Sequence, residues 1–174
     1  SLEEMVGAFN TFSNRGIYVS PMYVTRIEDR YGNVISSFHP VESEAISQET
    51  AYLMLTLLKN VVDMTGRYKG EFYSGTANRL RWKYEFKGEL AGKTGTTEKS
   101  KDALFVGYSP ALVTAVWVGK DSGSSLGEKE TGARAALPVW RAIMEKVLPE
   151  TRAEDFEKPE AITSVRMDER SGLL

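Results

Sequence analysis

The part of the chain that decides the fold runs from residue 91 to residue 119 and reads AGKTGTTEKSKDALFVGYSPALVTAVWVG. Two runs within it, 102–110 and 112–119, are rich in β-branched and aromatic residues, and a short proline-containing segment separates them. Such a pattern predicts two antiparallel strands joined by a tight turn at Ser109-Pro110-Ala111. A third strand is expected at 89–97, so this region predicts an antiparallel sheet.

The first of these strands concentrates groups that bind anions. Lys93 supplies a positive charge, and Gly95 has no Cβ, so that a ligand can lie directly against the backbone. Hydroxyl groups that form directed hydrogen bonds stand at three nearby positions: Thr94, Thr96 and Thr97. The strand is therefore predicted to bind an anionic substrate.

A phosphate-binding loop is the alternative interpretation, because Gly92-Lys93-Thr94 is also the end of a Walker A motif. That motif requires a further glycine, which would have to stand at the position of Lys87. A glycine and two threonines follow Lys93, and these residues are poor at opening the helix that a phosphate loop needs. The spacing disfavours a nucleotide-binding site.

Composition limits the possible classes of protein. With 174 residues, 41% of them hydrophobic, the chain is long enough for one core and one domain. A net charge of −2 without a basic block gives no reason to expect nucleic acid as a partner. The absence of cysteine and the presence of one histidine argue against a thiolate or His-rich metal site, and no metal or organic cofactor is expected. No apolar run approaches the roughly 18 residues of a membrane span, and no signal peptide is recognisable.

The regions around the predicted sheet combine helices with one hairpin. Ser1 and Glu4 form a capping-box pattern at the start of a helix over 1–15, which Gly16 is expected to end. Ser47 is predicted to cap a second helix, which runs through Asn60. Strands are expected at 23–28 and 33–38 around a turn at 29–33, in which Gly32 and Asn33 tolerate positive φ.

The remaining segments are less regular. Residues 61–88 are predicted to be irregular, with the basic and aromatic stretch at 79–84 forming a solvated helix near the mouth of the site rather than a nucleic-acid surface. A polar loop at 121–130 is expected to lead into a helix over 132–147, which Pro149 ends. The rest of the chain, 151–174, is predicted to be a charged linker with a short strand at 162–167.

The whole of 91–119 resembles the transpeptidase domain of class A (bifunctional) penicillin-binding proteins. In that family Lys-Thr-Gly-Thr-Thr, Phe-Val-Gly-Tyr and Val-Trp-Val-Gly occur in this order, and Lys-Thr-Gly is the third motif of its active site. Residues 1–16 are similar to a helix well upstream of this motif, and 131–140 to the start of the closing helix; 65–88 and the end of the chain match loosely. The resemblance implies an α+β fold, an antiparallel β-sheet with flanking helices, as a partial penicillin-binding protein/serine β-lactamase-like fold. Residues 1–150 would be the C-terminal half of the transpeptidase domain and 151–174 a charged tail.

The other catalytic motifs of this family are absent from the sequence. The nucleophile lies in Ser-x-x-Lys, but no serine here has a lysine three positions later, and Ser-x-Asn is missing as well. Tyr31-Gly32-Asn33 has the form Tyr-x-Asn that some β-lactamases use instead, but its composition fits a hairpin turn better. The resemblance therefore implies that this chain lacks the nucleophile and is inactive alone.

The resemblance also implies roles for individual residues. Lys93 matches the motif lysine, which hydrogen-bonds the serine of the second motif and attracts the substrate carboxylate. The hydroxyls of Thr94 and Thr96 match those that hold this carboxylate, and Gly95 permits its close approach, although a simple bulge would also explain the glycine. The backbone N–H of Thr96 matches an oxyanion-hole donor, a group worth about 3 kcal/mol in comparable sites.

No catalytic role is expected for the other notable residues of this region. Asp102 is expected to serve in a turn or cap rather than in catalysis, and Phe105 and Trp117 are expected in the core. Thr97 has no definite role.

The parent protein implied by the resemblance is a bacterial, serine-type D,D-transpeptidase of peptidoglycan synthesis on the extracytoplasmic face of the cytoplasmic membrane. A segment outside this chain would anchor it, and an N-terminal glycosyltransferase domain would precede it. Its ligands would be D-Ala-D-Ala stem peptides and β-lactams. An apolar sheet face is expected to be uncovered, so that the chain pairs with the N-terminal half of its domain or associates with itself. The alternatives are a D,D-carboxypeptidase or β-lactamase of the same fold, and a non-catalytic scaffold that binds wall peptide or a partner protein.

Overall fold

The computed structural model describes residues 1–68, 70–148 and 155–168. Its elements follow in the order α1 (Leu2–Ser13), β1 (Ile17–Val19), β2 (Arg26–Glu28), β3 (Val34–Ser37), β4 (Glu42–Glu44), α2 (Gln48–Asp63), β5 (Thr65–Tyr68), β6 (Glu71–Ser74), α3 (Arg79–Trp82), β7 (Ala91–Thr96), β8 (Asp102–Ser109), β9 (Leu112–Gly119) and α4 (Leu137–Val147).

The largest sheet of the described residues is antiparallel and has the order β7-β8-β9. Gly95 lies opposite Leu104 and Phe105 lies opposite Val116, in a register without shifts. The tight turn predicted between residues 109 and 112 joins β8 to β9. The three strands predicted from the sequence are confirmed, and the regular register excludes a bulge at Gly95.

Helices cover both faces of this sheet. Phe105 is fully buried and meets the ring of Trp140 from α4 edge-on, with ring centroids 5.2 Å apart. On the other face Tyr108 is fully buried among residues of α1 and α2, including Phe9 and Leu55. The expectation of an uncovered apolar sheet face is therefore wrong, because α1 and α2 already lie on that face.

Uncovered apolar surface among the described residues includes the outer sides of two helices. On α2, Leu53 is 54% exposed and Leu57 is 62% exposed, whereas Leu55 and Leu58 of the same helix pack inward. Val139 and Val147 are similarly exposed on α4. These two outer helix sides carry apolar side chains without a cover among the described residues.

The predicted helix starts are confirmed. The Ser1 hydroxyl accepts a hydrogen bond from the backbone N–H of Glu4 at 3.2 Å, within a complete capping box. Ser47 likewise caps α2 by accepting from the N–H of Thr50 at 3.3 Å. Helix α1 ends before Gly16, which has a φ of +90°. Gly16 lies so close to the segment before α2 that a Cβ there would be 2.1 Å from the carbonyl oxygen of Ile46.

The hairpin of β2 and β3 also follows the prediction, although only Gly32 of its turn has positive φ, at +87°. The interpretation of 61–88 as irregular is wrong in part. Helix α2 extends to Asp63, and β5 and β6 form a second hairpin whose turn contains Gly70 at a φ of +88°. Helix α3 supports the predicted helix at 79–84, but it is short, and its Leu80 is fully buried.

The C-terminal region follows the prediction in its helix and differs from it in the tail. The helix predicted over 132–147 forms, with a π-helical first part, Gly132–Ala136, that continues directly into α4; Pro149 lies outside the described residues. No strand forms at 162–167, and within 155–168 Phe156 is buried against Tyr108 with ring centroids 5.8 Å apart. The Phe156 N–H also donates to the Glu89 carboxylate at 2.7 Å. This part of the tail therefore contacts the body, whereas 151–154 and 169–174 lie outside the described residues and the division at residue 150 stays a prediction.

Across the described ranges, no helix combines the length and the apolar character that crossing a membrane requires.

Candidate functional site

The predicted site residues share one strand at the edge of the sheet. Lys93, Thr94, Gly95 and Thr96 all belong to β7, and no other strand of the described residues pairs with its outer side. Lys93 is exposed, and its ammonium group donates a hydrogen bond to the carbonyl oxygen of Thr94 at 2.8 Å. A lysine in the middle of a strand cannot serve as a phosphate-loop lysine, which opens a helix. The structure thus excludes a phosphate-binding loop at Gly92-Lys93-Thr94.

The open edge of β7 presents backbone groups of the threonines. Just beyond the strand, the N–H of Thr97 donates to the carbonyl oxygen of Asp102 on β8 at 3.1 Å. In an antiparallel pair, residues that bond to the partner alternate with residues whose N–H and C=O point away from it. The backbone groups of Thr94 and Thr96 therefore point toward the open edge, where a ligand can reach them.

The segment that leads into α4 fixes the hydroxyl of Thr96. The N–H of Gly132 donates to the Thr96 hydroxyl oxygen at 3.1 Å. A Cβ on Gly132 would lie 2.2 Å from the carbonyl oxygen of Leu104 and 2.6 Å from that of Gly95, so only glycine permits this approach. The sequence marked Gly132 only as part of the similarity at 131–140 and gave no sign of its contact with β7.

A second residue outside the predicted set contacts Thr94. The hydroxyl of Thr76 lies 2.8 Å from the hydroxyl of Thr94, within hydrogen-bonding distance. Thr76 follows β6 and precedes α3, in the segment predicted to be irregular. No local pattern in the sequence pointed to this contact, which depends on how α2 positions the segment.

Asp102 and Thr97 brace the end of the site strand. The Thr97 hydroxyl donates to the Asp102 carboxylate at 3.0 Å and accepts from the Asp102 N–H at 2.8 Å. The indole N–H of Trp117 donates to the same carboxylate at 3.0 Å. This confirms the turn role of Asp102 and gives Thr97 a structural role.

The two core predictions for this region have different outcomes. Phe105 is fully buried, as expected. Trp117 is 46% exposed, so its assignment to the core is wrong; its indole lies at the end of the sheet, where it braces Asp102 instead of packing inward.

The Tyr31-Gly32-Asn33 sequence is a turn and lies apart from the site strand. The Asp29 carboxylate accepts hydrogen bonds from the backbone N–H groups of Tyr31 and Asn33 at 2.8 and 2.9 Å. It also accepts from the Asn33 side chain at 2.8 Å, and this bond is the main cause that lowers the pKa of Asp29. All these groups hold the β2–β3 turn together, which confirms the turn interpretation.

Comparison with known proteins identifies relatives of the chain. The family model of the penicillin binding protein transpeptidase domain matches residues 1–145. Penicillin-binding protein 1A of Aquifex aeolicus is 35% identical over 156 residues, which cover 90% of this chain and 20% of the relative. The chain thus spans about a fifth of the length of that curated relative.

Solved structures agree with this relationship. Penicillin-binding protein 1A from Haemophilus influenzae superposes with a TM-score of 0.86 at 27% identity, covering 98% of this chain and 30% of that one. The D,D-transpeptidase domain of a peptidoglycan glycosyltransferase from Eggerthella lenta gives a TM-score of 0.61 at 27% identity, over 84% of this chain and 32% of that one. The α+β fold and the match over residues 1–145 lead to one conclusion: the chain belongs to the penicillin-binding protein transpeptidase family.

Proposed function

We propose that this chain supplies the substrate-binding strand of a peptidoglycan D,D-transpeptidase that cross-links stem peptides and is acylated by β-lactams. The observation that carries the proposal is the open edge of β7, which presents Lys93, Thr94 and Thr96 in a chain of the penicillin-binding family. The relatives from Aquifex and Haemophilus, both named penicillin-binding protein 1A, favour a synthase over a β-lactamase of the same fold.

The side chains of β7 suit the carboxylate of a D-Ala-D-Ala terminus or of a β-lactam. Lys93 contributes the positive charge, and the hydroxyls of Thr94 and Thr96 contribute donors. A threonine hydroxyl has one proton and two acceptor sites. Because the Thr96 hydroxyl accepts from Gly132, its own proton is still free to donate to an anion. Gly95 between them lets the substrate lie against the strand.

The backbone of β7 suits the reacting carbonyl group. The N–H of Thr96 points toward the open edge by the alternation of the ladder, as an oxyanion-hole donor must. Removing one such donor costs about 3 kcal/mol of transition-state stabilisation in comparable sites. Lys93 and Thr96 are therefore the proposed catalytic residues of this chain.

The nucleophile is proposed to come from a Ser-x-x-Lys segment outside this sequence, because none of its serines fits that motif. In acylation the serine oxygen attacks the substrate carbonyl, the amide bond breaks, and the terminal D-Ala leaves as an amine that takes up the serine proton. An acceptor amine then attacks the ester and displaces the serine oxygen, which regains a proton. With a β-lactam the broken amide bond is the ring bond, so the leaving nitrogen stays attached to the acyl group. This chain alone would bind but not react. The parent is proposed to act outside the cytoplasmic membrane, anchored by another segment and preceded by a glycosyltransferase domain.

The outer sides of α2 and α4 are proposed to be covered by the remainder of the same domain or, in its absence, by a second copy of this chain. Leu53 and Leu57 on α2 and Val139 on α4 are exposed apolar side chains on helices whose other sides are fully packed. Sedimentation of the isolated chain tests self-association: Leu53→Lys with Leu57→Lys should produce monomers, and an unchanged mass distribution would contradict the proposal.

The catalytic proposal is tested by labelled penicillin and intact-mass measurement on the full-length protein that contains this chain. Lys93→Ala should reduce the acylation rate by at least about a hundredfold, since it removes a charge-assisted contact and part of the active-site electrostatics. Lys87→Ala removes an exposed lysine near the start of the same strand and should leave the rate unchanged. Equal rates for the two variants would contradict the assignment of Lys93.

A further inference from the structure

The segment 74–78 is fastened to the C-terminal end of α2 by hydrogen bonds on both sides of Thr76. The N–H of Gly75 donates to the carbonyl oxygen of Met64 at 2.8 Å, and the N–H of Ala77 donates to that of Val61 at 2.9 Å. The buried side chain of Asn78 donates to the carbonyl oxygen of Val62 at 3.0 Å. These bonds fix the backbone immediately before and after Thr76.

Gly75 makes this attachment possible. A Cβ at this position would lie 2.3 Å from the carbonyl oxygen of Val61 and 2.4 Å from that of Asn60. Both are backbone atoms of α2 that cannot move without disturbing the helix, so any other residue would push the segment outward. The close approach of Gly75 therefore determines where the next side chain, Thr76, stands.

The side chain so placed meets the site strand at Thr94. The two hydroxyl oxygens are 2.8 Å apart, and either atom can be the donor. A carboxylate ligand removes this ambiguity, because an ionised carboxylate only accepts hydrogen bonds. If Thr94 gives its single proton to the ligand, then the bond between the two hydroxyls requires Thr76 as the donor.

We infer that Thr76 is a positioning residue of the carboxylate site: it donates to the Thr94 hydroxyl and thereby turns the proton of Thr94 toward the anionic end of the substrate. The inference rests on the proposed function. Thr76 itself need not touch the substrate. Its donated bond polarises the Thr94 hydroxyl and strengthens the bond that Thr94 makes to the anion.

The test uses the full-length protein and two ligands, benzylpenicillin and its methyl ester, which lacks the anionic carboxylate. Thr76→Val removes the hydroxyl and keeps the branched shape, and it should lower the second-order acylation rate with benzylpenicillin by about fivefold to tenfold. Acylation by the ester should change by less than about twofold, because the ester presents no anion for Thr94 to hold. Thr76→Ser should restore the rate with the acid.

A double-variant comparison separates positioning from general support of the structure. In a Thr94→Val background, Thr76→Val should have no further effect on the acid, since the hydroxyl that it positions is already gone. The matched control is Thr65→Val, which removes an exposed hydroxyl from the preceding hairpin and should leave both rates unchanged.

Three outcomes overturn the inference. An unchanged rate with the acid would show that Thr76 has no role, and equal losses with acid and ester would show that it only supports the fold. Additive losses in the double variant would show that it acts apart from Thr94. The proposed function fails separately, if the unmodified protein forms no adduct with benzylpenicillin.

Discussion

Two antiparallel hairpins of this molecule share a pattern of residue types and have opposite surroundings. In β8–β9, Phe105 and Tyr108 are completely buried, whereas in β2–β3, Ile35 is 68% exposed and Tyr31 is 73% exposed. Both contain β-branched and aromatic residues around a turn, and both were predicted from that pattern. The difference is that helices distant in sequence pack on both faces of the first hairpin, while the second projects with little cover. The pairing of two neighbouring strands thus follows from local sequence, whereas their burial depends on which distant segments pack against them.

This contrast explains the position of the candidate site. The inner side of β7 pairs with the buried hairpin, and its outer edge is open. A strand held in this way keeps Lys93 and Thr96 in fixed positions while leaving them accessible, which is what a binding site requires. The projecting hairpin has no comparable support and contains no site residue.

The largest expected difference between the two regions concerns their aromatic side chains. Trp140→Ala removes a fully buried ring whose indole N–H donates to the carbonyl oxygens of Gly107 and Thr114 at 3.0 and 3.1 Å. It should lower the free energy of unfolding by about 3–5 kcal/mol. Tyr31→Ala on the projecting hairpin should change it by less than about 0.5 kcal/mol. Urea denaturation measures both, and similar losses would contradict the comparison.

The next effect compares Gly132, which packs against β8 of the buried hairpin, with Gly32 in the turn of the projecting one. Gly132→Ala should destabilise the protein by about 1–3 kcal/mol, because the added Cβ would collide with backbone oxygens of β7 and β8. It should also slow acylation of the full-length protein by displacing the group that holds Thr96. In Gly32→Ala the added Cβ would lie in open space, and only the positive φ of this position disfavours it. The free energy of unfolding should therefore fall by about 1 kcal/mol, and the acylation rate should not change. An unchanged rate for Gly132→Ala would contradict the contact.

A smaller effect is expected from Tyr108, whose buried hydroxyl has no hydrogen-bond partner among the described residues. Tyr108→Phe should stabilise the protein by about 1 kcal/mol, since an unsatisfied polar group leaves the core. Tyr31→Phe, at an exposed position, is the matched control and should have little effect. Thermal and urea unfolding at neutral pH measure the difference.

The same tyrosine gives a dependence on alkaline pH. Burial raises the pKa of the Tyr108 hydroxyl above its ordinary value of about 10, so the folded state keeps a proton that the unfolded state loses above that pH. The free energy of unfolding should therefore fall as pH rises beyond about 10. The fall should be shallower in Tyr108→Phe than in Tyr31→Phe, and identical slopes would show that Tyr108 is accessible to water.

The smallest effect is local to the projecting hairpin. Hydrogen bonds from Asn33 lower the pKa of Asp29 in the folded protein. They therefore stabilise the turn fully at pH values above the ordinary pKa of an aspartate. This stabilisation is lost as the pH falls through the lowered pKa of the folded state. Protection of the Asn33 amide from hydrogen exchange should decline at acid pH, whereas amides of β8 should keep theirs. Asp29→Asn should remove this dependence on pH, and its persistence there would assign it to another group.

The sequence was informative where structure depends on neighbours in the chain. Ser1 and Ser47 cap their helices as predicted, and β7, β8 and β9 form at the expected positions, because capping and strand patterns are local. The structural role of Asp102 at the start of β8 was predicted from the same local pattern. Strand β7, which is proposed to form the site, was also predicted in this way, since Lys93, Thr94 and Thr96 lie within four residues.

The rest depended on contacts between distant segments. Thr76 reaches Thr94 only because Gly75 lies against α2, and Gly132 reaches Thr96 only because the turn before α4 folds back over β7. The exposure of Trp117 and the burial of Phe156 likewise depend on partners far away in sequence. No periodicity within a segment contains such information.

The central claim is that this chain holds the substrate while a serine outside it performs the chemistry. The most direct test is intact-mass measurement after incubation with labelled penicillin, on this chain and on a version extended upstream to include Ser-x-x-Lys. One penicillin adduct is expected on the extended form and none on the short chain. An adduct on the short chain itself would contradict the account, as would a folded extended form that remains unlabelled.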